Sequence, residues 1–395
     1  MIRRVVCGMS GGVDSAVSAL LLKKRGFQVV GAFMKNWDLR DEVGHCSSQA
    51  DLEDAQHVCE HLEISLHQVD FVKEYWTHVF TPMIQEYEQG LTPNPDVQCN
   101  RHIKFGYFHE YCMKQLGADA VATGHYARNS LGNFLEYYKP DAEAKLLVPK
   151  DQVKDQTLFL CQIQQSALRR TMFPVGDLLK TQVKEIAKEI GLQRISGKKE
   201  SMGICFIGSR YFHDFIEEYI EPKCGKFINI DTGKVMGEHK GVHYWTIGQR
   251  CQIGGLAKAC FVVNMESTTN DILVAEGTHH PALYTDRLFI KEPYWIGSSS
   301  AQQQLDNEGV VRCRFRFQNL HSLMECTLHR QTDYFEVKLE HPLRAITAGQ
   351  YAVFYEDDTC IGSSSILRPG PSLHDQGIQL DELTARAFRR TYART

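Results

Sequence analysis

Apolar positions fall into short blocks and helical stripes through the first half of the chain. Arg4–Met9 forms a short apolar strand, and Val13 to Arg25 carries a helical stripe that stops at Gly26. Gln28–Met34 predicts a second strand. Asp51–Leu62 predicts an amphipathic helix, with Leu52, Ala55, Val58, Cys59 and Leu62 in register. Ser65–Val69, Glu74–Glu88 and Ala118–Thr123 continue the alternation as strand, helix and strand, the last running into Gly124-His125. Strands alternating with helices of this length predict an α/β fold with a doubly wound parallel sheet. Ligands bind such sheets at the carboxyl ends of the strands. Ser10–Ser15 and Gly124-His125 both follow strands, so one crevice is expected to hold both.

The texture changes after about residue 208. Lys226–Ile230 alternates and is followed by Asp231-Thr232-Gly233, the pattern of a hairpin turn. From about Asp286 the pattern is β without helices: Val311, Cys313, Phe315 and Phe317 alternate with Arg312, Arg314 and Arg316, and Phe335–Leu339 and Tyr351–Tyr355 follow. A small barrel or sandwich is expected. The organisation read from these shifts is residues 1–208, a central β-rich domain at 209–280, a C-terminal β-barrel at 281–368, and a mobile tail or short helix at 369–395.

The chain has 395 residues, room for two or three domains of roughly 100–200 residues each. No apolar run approaches the ~18 residues a bilayer span needs, so no membrane association is expected. No secretory h-region follows Arg3 and Arg4, which points inside the cell. A net charge of −4 excludes a globally basic nucleic-acid binder and leaves RNA contact to local patches. Of the 13 cysteines none are spaced C-x-x-C, so no zinc ribbon and no other metal-ligating cluster is expected.

Ser10-Gly11-Gly12-Val13-Asp14-Ser15 stands between a strand and a helix. Two glycines let successive N–H groups turn toward one anion, and the helix adds its positive end. No Gly-Lys-Ser/Thr follows, so this is not a Walker loop. Further on, Thr92-Pro93-Asn94-Pro95-Asp96-Val97-Gln98-Cys99-Asn100 reads as a proline-stiffened loop before a helix at Ile103–Leu116, presenting Asp96 and a Cys99 placed to be reactive. Gly203-Ile204-Cys205-Phe206-Ile207-Gly208 encloses a second cysteine of interest.

The first string resembles that of the PP-loop ATP pyrophosphatases. Both cysteine strings resemble those of the tRNA-specific 2-thiouridylases. Further matching strings are Phe33–Trp37, Ala122–Tyr126, Lys154-Asp155-Gln156, Phe173–Gly176, Thr246–Arg250 and Ala348–Tyr355, and the likeness runs from about residue 3 to 368. The resemblance implies a PP-loop fold that binds ATP, with Mg2+ as its counterion, through Gly8, Met9, Ser10, Gly11, Gly12, Val13, Asp14, Ser15, Met34 and Gly124. It implies that ATP adenylates the C2 oxygen of a wobble uridine in tRNA of the Lys, Glu and Gln type. Cys205 would carry a persulfide from a cysteine desulfurase or relay protein, Cys99 would end in a disulfide with it, and Asp96 would act as base or orienting acceptor. Asn94, Pro95, Asp96, His125, Lys154, Asp155, Gln156, Arg314, Phe315 and Gln350 match positions that touch tRNA, and Arg312, Arg314 and Arg316 would line one strand face toward phosphates.

Glu200-Ser201-Met202-Gly203 stands where bacterial relatives have Asp-Ser-Thr-Gly, and Cys251–Gly255 lacks their Lys-Gly-Leu-Gly insert. Both variants resemble the animal mitochondrial branch, which implies a mitochondrial location. Two other functions compete: a PP-loop synthetase acting on a small carboxylate, which needs no paired cysteines, and a non-catalytic tRNA-binding protein, which would tolerate loss of Asp14.

Overall fold

The first strand, β1 (Arg4–Gly8), is apolar because it is covered on both faces: Val5, Val6 and Cys7 are wholly buried. The computed structural model describes residues 2–37, 47–198, 212–255, 258–319, 321–380 and 384. They form two units, one of Met1–Phe80, Pro95–Ser209 and Asp358–Ile361, the other of Thr81–Asn94, Arg210–Asp357 and Gly362–Thr395.

In the first unit β1 is followed by β2 (Gln28–Lys35), β3 (Leu66–Asp70), β4 (Ala120–Ala122), β5 (Arg128–Asn129), β6 (Leu146–Leu147) and β7 (Thr171–Met172). Five of these make a sheet in the order β3-β2-β1-β4-β7, every pair parallel. The expected doubly wound sheet is present. The chain moves to one side of β1 for β2 and β3 and to the other for β4 and β7. The carboxyl ends of β1 and β4 therefore flank the switch point, where such sheets bind ligands. β5 and β6 pair with each other, and β6 also pairs with Thr359 and Cys360.

Helix α1 (Val13–Lys24) is buried along most of its length, and Ala16, Ser18 and Ala19 let it lie close to the sheet. It ends at Gly26, whose φ of +84° a side chain would oppose. Helix α2 (Ser47–His61) follows β2. The segment expected to be a stiff loop is instead helical. Helix α3 spans 95–114, with α-turns at Pro95–Gln98 and His109–Lys114 around a π-helical stretch at Cys99–Phe108. Pro95 supplies the fixed φ suited to a first helical position, so the helix starts eight residues earlier than Ile103. Helix α4 (Lys180–Glu189) packs against α1.

The second unit contains β8 (Gly225–Asn229), β9 (Val235–His239), β10 (Arg250–Cys251), β11 (Cys260–Glu266) and β12 (Asp271–Glu276), ordered β10-β11-β12-β8-β9. Phe227, Val242, Cys251, Cys260, Val262, Ile272 and Val274 form its core. Next come β13 (Tyr284–Ile290), β14 (Tyr294–Trp295), helix α5 (Ser300–Glu308), β15 (Val310–Arg316), β16 (Met324–Arg330), β17 (Phe335–Arg344), β18 (Tyr351–Glu356) and β19 (Thr359–Pro369). Six strands run β13-β17-β16-β15-β18-β19, and β13 pairs again with β19 to close a barrel.

Two features differ from the sequence reading. Helix α5 interrupts the expected run of strands; Ser299 Oγ caps it by accepting from Gln302 N (3.0 Å), and Gly309 ends it at φ +71°. The start of the expected tail is packed: Ser372 bridges Thr285, and Leu373 is buried against Leu283 and Tyr284. Arg386, Arg389, Arg390 and Arg394 lie outside the described residues.

Candidate active site

The loop Ser10–Ser15 joins β1 to α1. Gly11 has φ +72°, and a Cβ there would sit 2.9 Å from Asp51 Cα, so only glycine fits. Ser15 Oγ donates to Gly12 O (3.0 Å) and accepts from Ser10 N (3.2 Å), which fixes the curl. The Ser10 and Ser15 hydroxyls lie 3.2 Å apart. Gly12 provides no side-chain cap for α1, so the first N–H groups of a twelve-residue helix stay available to an anion. Gly124, after β4, presses on this loop: a Cβ there would come 2.7 Å from Asp14 C and Ser15 N. Gly8, Met9 and Val13 are buried beneath it, while Met34 is half-buried at the end of β2.

Asp14 occupies the first turn of α1. Its carboxylate accepts from Lys180 Nζ at 2.8 and 2.7 Å and from the Tyr126 hydroxyl at 2.9 Å. The Lys180 side chain is 11% exposed. Sequence reading assigned no role to Lys180 or Tyr126. One signal was available: Lys180 opens α4 with no acidic residue in its first turn, placing a cation where the helix dipole opposes it.

Asp96 and Cys99 share the first turns of α3. Burial pushes the Asp96 carboxyl above the ordinary carboxylate range, and the Lys104 ammonium partly offsets this. Cys99 is 3% exposed, so it lies inside the helix packing and not on an open loop. Its neighbour Asn100 donates to Phe159 O (3.1 Å), while the buried Asn100 Oδ1 has no hydrogen-bond partner among the described residues. Lys104 Nζ lies 3.4 Å from His125 Nε2, and His125 Nδ1 lies 2.8 Å from Thr123 Oγ1. Burial, then Lys104, hold His125 well below the ordinary imidazole range, so the ring is neutral. Cys205 and its flanking string lie outside the described residues.

The remaining candidates are spread over both units. Lys154 lies in a turn where Asp151 accepts from its N–H. Asp155 is buried and accepts from Thr157 N (2.9 Å) and Thr157 Oγ1 (2.7 Å), which makes it a strut of its turn. Gln156 Oε1 accepts from Tyr126 N at 2.9 Å. In the second unit Gln350 donates to Thr92 O (2.9 Å) and Pro93 O (3.2 Å) and accepts from Asn94 (3.2 Å). Gly349, at φ +90°, lets the Thr92 backbone approach, since a Cβ would lie 2.9 Å from Thr92 O. Pro95 is buried at the start of α3.

The arginine row is corrected. Arg312 is exposed and the Arg314 guanidinium donates to Asp357 O, but Arg316 is 1% exposed and donates to the Tyr355 hydroxyl at 2.8 Å. Phe315 is buried against Phe317 and Phe354. Among the described residues, Asp231, His280 and His374 bring three ligand-type atoms within 4.8 Å of one another. His280 Nδ1 accepts from Ala282 N, which leaves the ring hydrogen on Nε2, 3.2 Å from Asp231. That tautomer makes a hydrogen bond, not a metal ligand.

Comparison with known proteins covers nearly the whole chain. Residues 3–209 match the family model described as tRNA methyl transferase HUP domain, 213–276 the tRNA methyl transferase PRC-barrel domain, and 285–366 the aminomethyltransferase beta-barrel domain. The chain is 55% identical over 372 residues to mitochondrial tRNA-specific 2-thiouridylase 1 of Drosophila melanogaster, covering 94% of this chain and 95% of that protein. It is 48% identical over 389 residues to the Homo sapiens protein of the same name, covering 94% and 92%. Against the probable counterpart in Caenorhabditis elegans the identity is 44% over 372 residues, covering 92% and 98%.

Proposed function

The chain belongs to the tRNA-specific 2-thiouridylase family, and from that premise we propose that it replaces the C2 oxygen of a tRNA wobble uridine with sulfur, using ATP, in the mitochondrion. The substrates are tRNAs of the Lys, Glu and Gln type. ATP places its phosphates against the uncapped start of α1 and the Ser10 and Ser15 hydroxyls. Lys180 and Asp14 stand at the same place with the charges suited to pyrophosphate and to its Mg2+ counterion.

Asp96, with its carboxyl raised by burial, takes the N3 proton of the uridine, and the C2 oxygen attacks the α-phosphorus as pyrophosphate leaves. The terminal sulfur of a Cys205 persulfide, delivered by a cysteine desulfurase or relay protein, then attacks C2 and AMP departs. Cys99 thiolate attacks the Cys205 sulfur, freeing 2-thiouridine and leaving a Cys99–Cys205 disulfide. A dithiol reductant reopens it with two electrons. Asn94, Gln350 and Arg314 bear on the RNA, with the loop at Thr92–Asn94 held by Gln350. Asp155 and Gln156 act through the turn they build.

The observation that carries this reading is the loop after β4. Gly124 and Tyr126 touch the phosphate loop, and His125 touches the helix that bears Asp96 and Cys99. The test is unmodified tRNA transcript with ATP, a cysteine desulfurase and cysteine as the persulfide source, and a dithiol reductant, scored for thiolated RNA on a mercury gel and for AMP release. Thiolation that fails in Cys99→Ser and Cys205→Ser supports it. AMP formation from a small carboxylate without RNA would support a synthetase instead, and tRNA binding without AMP release a non-catalytic protein.

A further inference from the structure

We propose that Lys198 is a positioning residue for ATP: it braces the phosphate loop from the side of Gly11, through Asp51, while Lys180 holds the loop from the side of Asp14. This rests on the reading of Ser10–Ser15 as the site of the ATP phosphates.

The contacts form an unbroken series. Asp51 and Asp54 stand three positions apart on α2 and so share one face. Lys198 Nζ donates to Asp51 Oδ1 at 2.6 Å and to Asp54 Oδ2 at 2.8 Å. Asp54 is the fixed point: its side chain is 6% exposed, and Arg194 Nη2 pairs with its other oxygen at 2.8 Å. A carboxylate taken out of water is stable only where cations meet it, so Asp54 keeps Lys198 in place. Lys198 in turn holds the more exposed Asp51, whose backbone lies against the phosphate loop. A Cβ on Gly11 would stand 2.9 Å from Asp51 Cα and 3.0 Å from Asp51 C. Burial works to lower the Lys198 ammonium, but the hydrogen bonds and charges of Asp51 and Asp54 outweigh it and hold the group above its ordinary range. The brace therefore stays charged.

The same stretch of chain grips the loop at its other end. Lys180 opens α4 and pairs with Asp14, and α4 packs along α1, the helix into which the loop runs. A short helical turn, Gln193–Ser196, packs on α4 and leads to Lys198. Residues 180–198 thus carry a lysine at each end, one on the Asp14 carboxylate and one on the residue backed against Gly11. The circuit from Gly11 through Asp51, Lys198, α4 and Lys180 back to Asp14 closes within the first unit. A loop whose N–H groups must converge on one anion binds it more tightly when the curl is held before the anion arrives. Lys198 needs no contact with ATP to do this.

The experiment measures steady-state AMP release on tRNA, with KM for ATP and kcat separated, for the wild type, Asp51→Ala, Lys198→Met, Lys198→Arg and Ser15→Ala. Amide exchange at residues 11–13 is followed in the same proteins. Asp51→Ala and Lys198→Met are each expected to raise KM for ATP about tenfold and to speed that exchange, with kcat within about threefold and KM for tRNA within about twofold. Lys198→Arg, which keeps the charge and the donors, should hold KM for ATP within about threefold of the wild type. A merely structural residue would lower the active fraction, and hence kcat, and leave KM for ATP where it is; that result overturns the proposal. So does an arginine variant that loses as much as the methionine one. If Lys198→Met does not fold, the decision falls to Asp51→Ala, which leaves the buried Asp54 with both its cations: an unchanged KM for ATP there overturns the proposal and a raised one supports it. Ser15→Ala unpins the loop itself and separates the premise. A wild-type KM for ATP in Ser15→Ala refutes the loop as the phosphate site, whereas a raised KM there with an unmoved one in Asp51→Ala refutes the brace alone.

Discussion

Gly124→Ala should damage ATP use while sparing RNA binding. The added Cβ would stand 2.7 Å from Asp14 C and Ser15 N, both backbone atoms of the phosphate loop. Ordinary van der Waals contact begins near 3.4 Å, so the loop or the strand end must yield by about 0.7 Å. Overpacking of this kind costs about 1–3 kcal/mol, and the Gly11 side of the loop cannot retreat because it already meets Asp51. Displacing a reacting group by about 1 Å lowers rates about 10²-fold. We therefore expect kcat/KM for ATP to fall between about 10- and 100-fold in an AMP-release assay, with tRNA affinity within about twofold and a lowered Tm. A variant with wild-type kcat/KM for ATP would refute the view that Gly124 sets the loop position. So would an equal loss of tRNA affinity, since the clash touches nothing outside the loop.

Three further outcomes follow from particular contacts. Lys180→Met removes the ammonium and its two hydrogen bonds to Asp14, leaving the one from the Tyr126 hydroxyl, and should lower kcat/KM for ATP by about 10²-fold with tRNA binding retained, measured by AMP release and filter binding. Gln350→Ala removes three hydrogen bonds to residues 92–94 and should speed amide exchange in that segment and raise KM for tRNA, with KM for ATP unchanged. His109 is buried and pushed down to about 4, first by burial and then by Arg170. Folded His109 stays neutral while the unfolded chain takes a proton below about pH 6.5, so stability is full above that pH and falls toward pH 4. The loss is about 2 kcal/mol at pH 5; urea midpoints at pH 5 and 7.5 should converge in His109→Leu relative to the wild type.

Local chemistry was legible and distant pairing was not. The phosphate loop could be read because its glycines and serines act on their own backbone within six residues. The parallel sheet could be read because strands covered on both faces are apolar runs. The setting of Asp96 and Cys99 was misread: two prolines suggest a loop, and Pro95 instead begins a helix. Helix α5 escaped because only Ala301 and Leu305 turn inward, too few for a helical stripe, although Ser299 and Gly309 mark its ends. Arg316 shares its parity with exposed Arg312, and its burial goes with a hydrogen bond to the Tyr355 hydroxyl on a strand 39 residues away. The pairing of Lys180 with Asp14 spans 166 positions and was not legible locally.

The four residues after β4 explain why the nucleotide loop and the helix of Asp96 and Cys99 need not be tuned separately. Thr123 fixes the His125 ring, Gly124 seats the phosphate loop, His125 holds Lys104, and Tyr126 donates to Asp14 while its N–H binds Gln156. All four extend from a strand whose three residues are buried, so their spacing is set by the sheet and not by a flexible connector. In the proposed reaction adenylation takes place on the C2 oxygen and sulfur attacks C2 itself, so the phosphate site and the cysteine helix must keep one fixed separation. Mounting both on consecutive residues of one strand end supplies that constraint with the fewest moving parts.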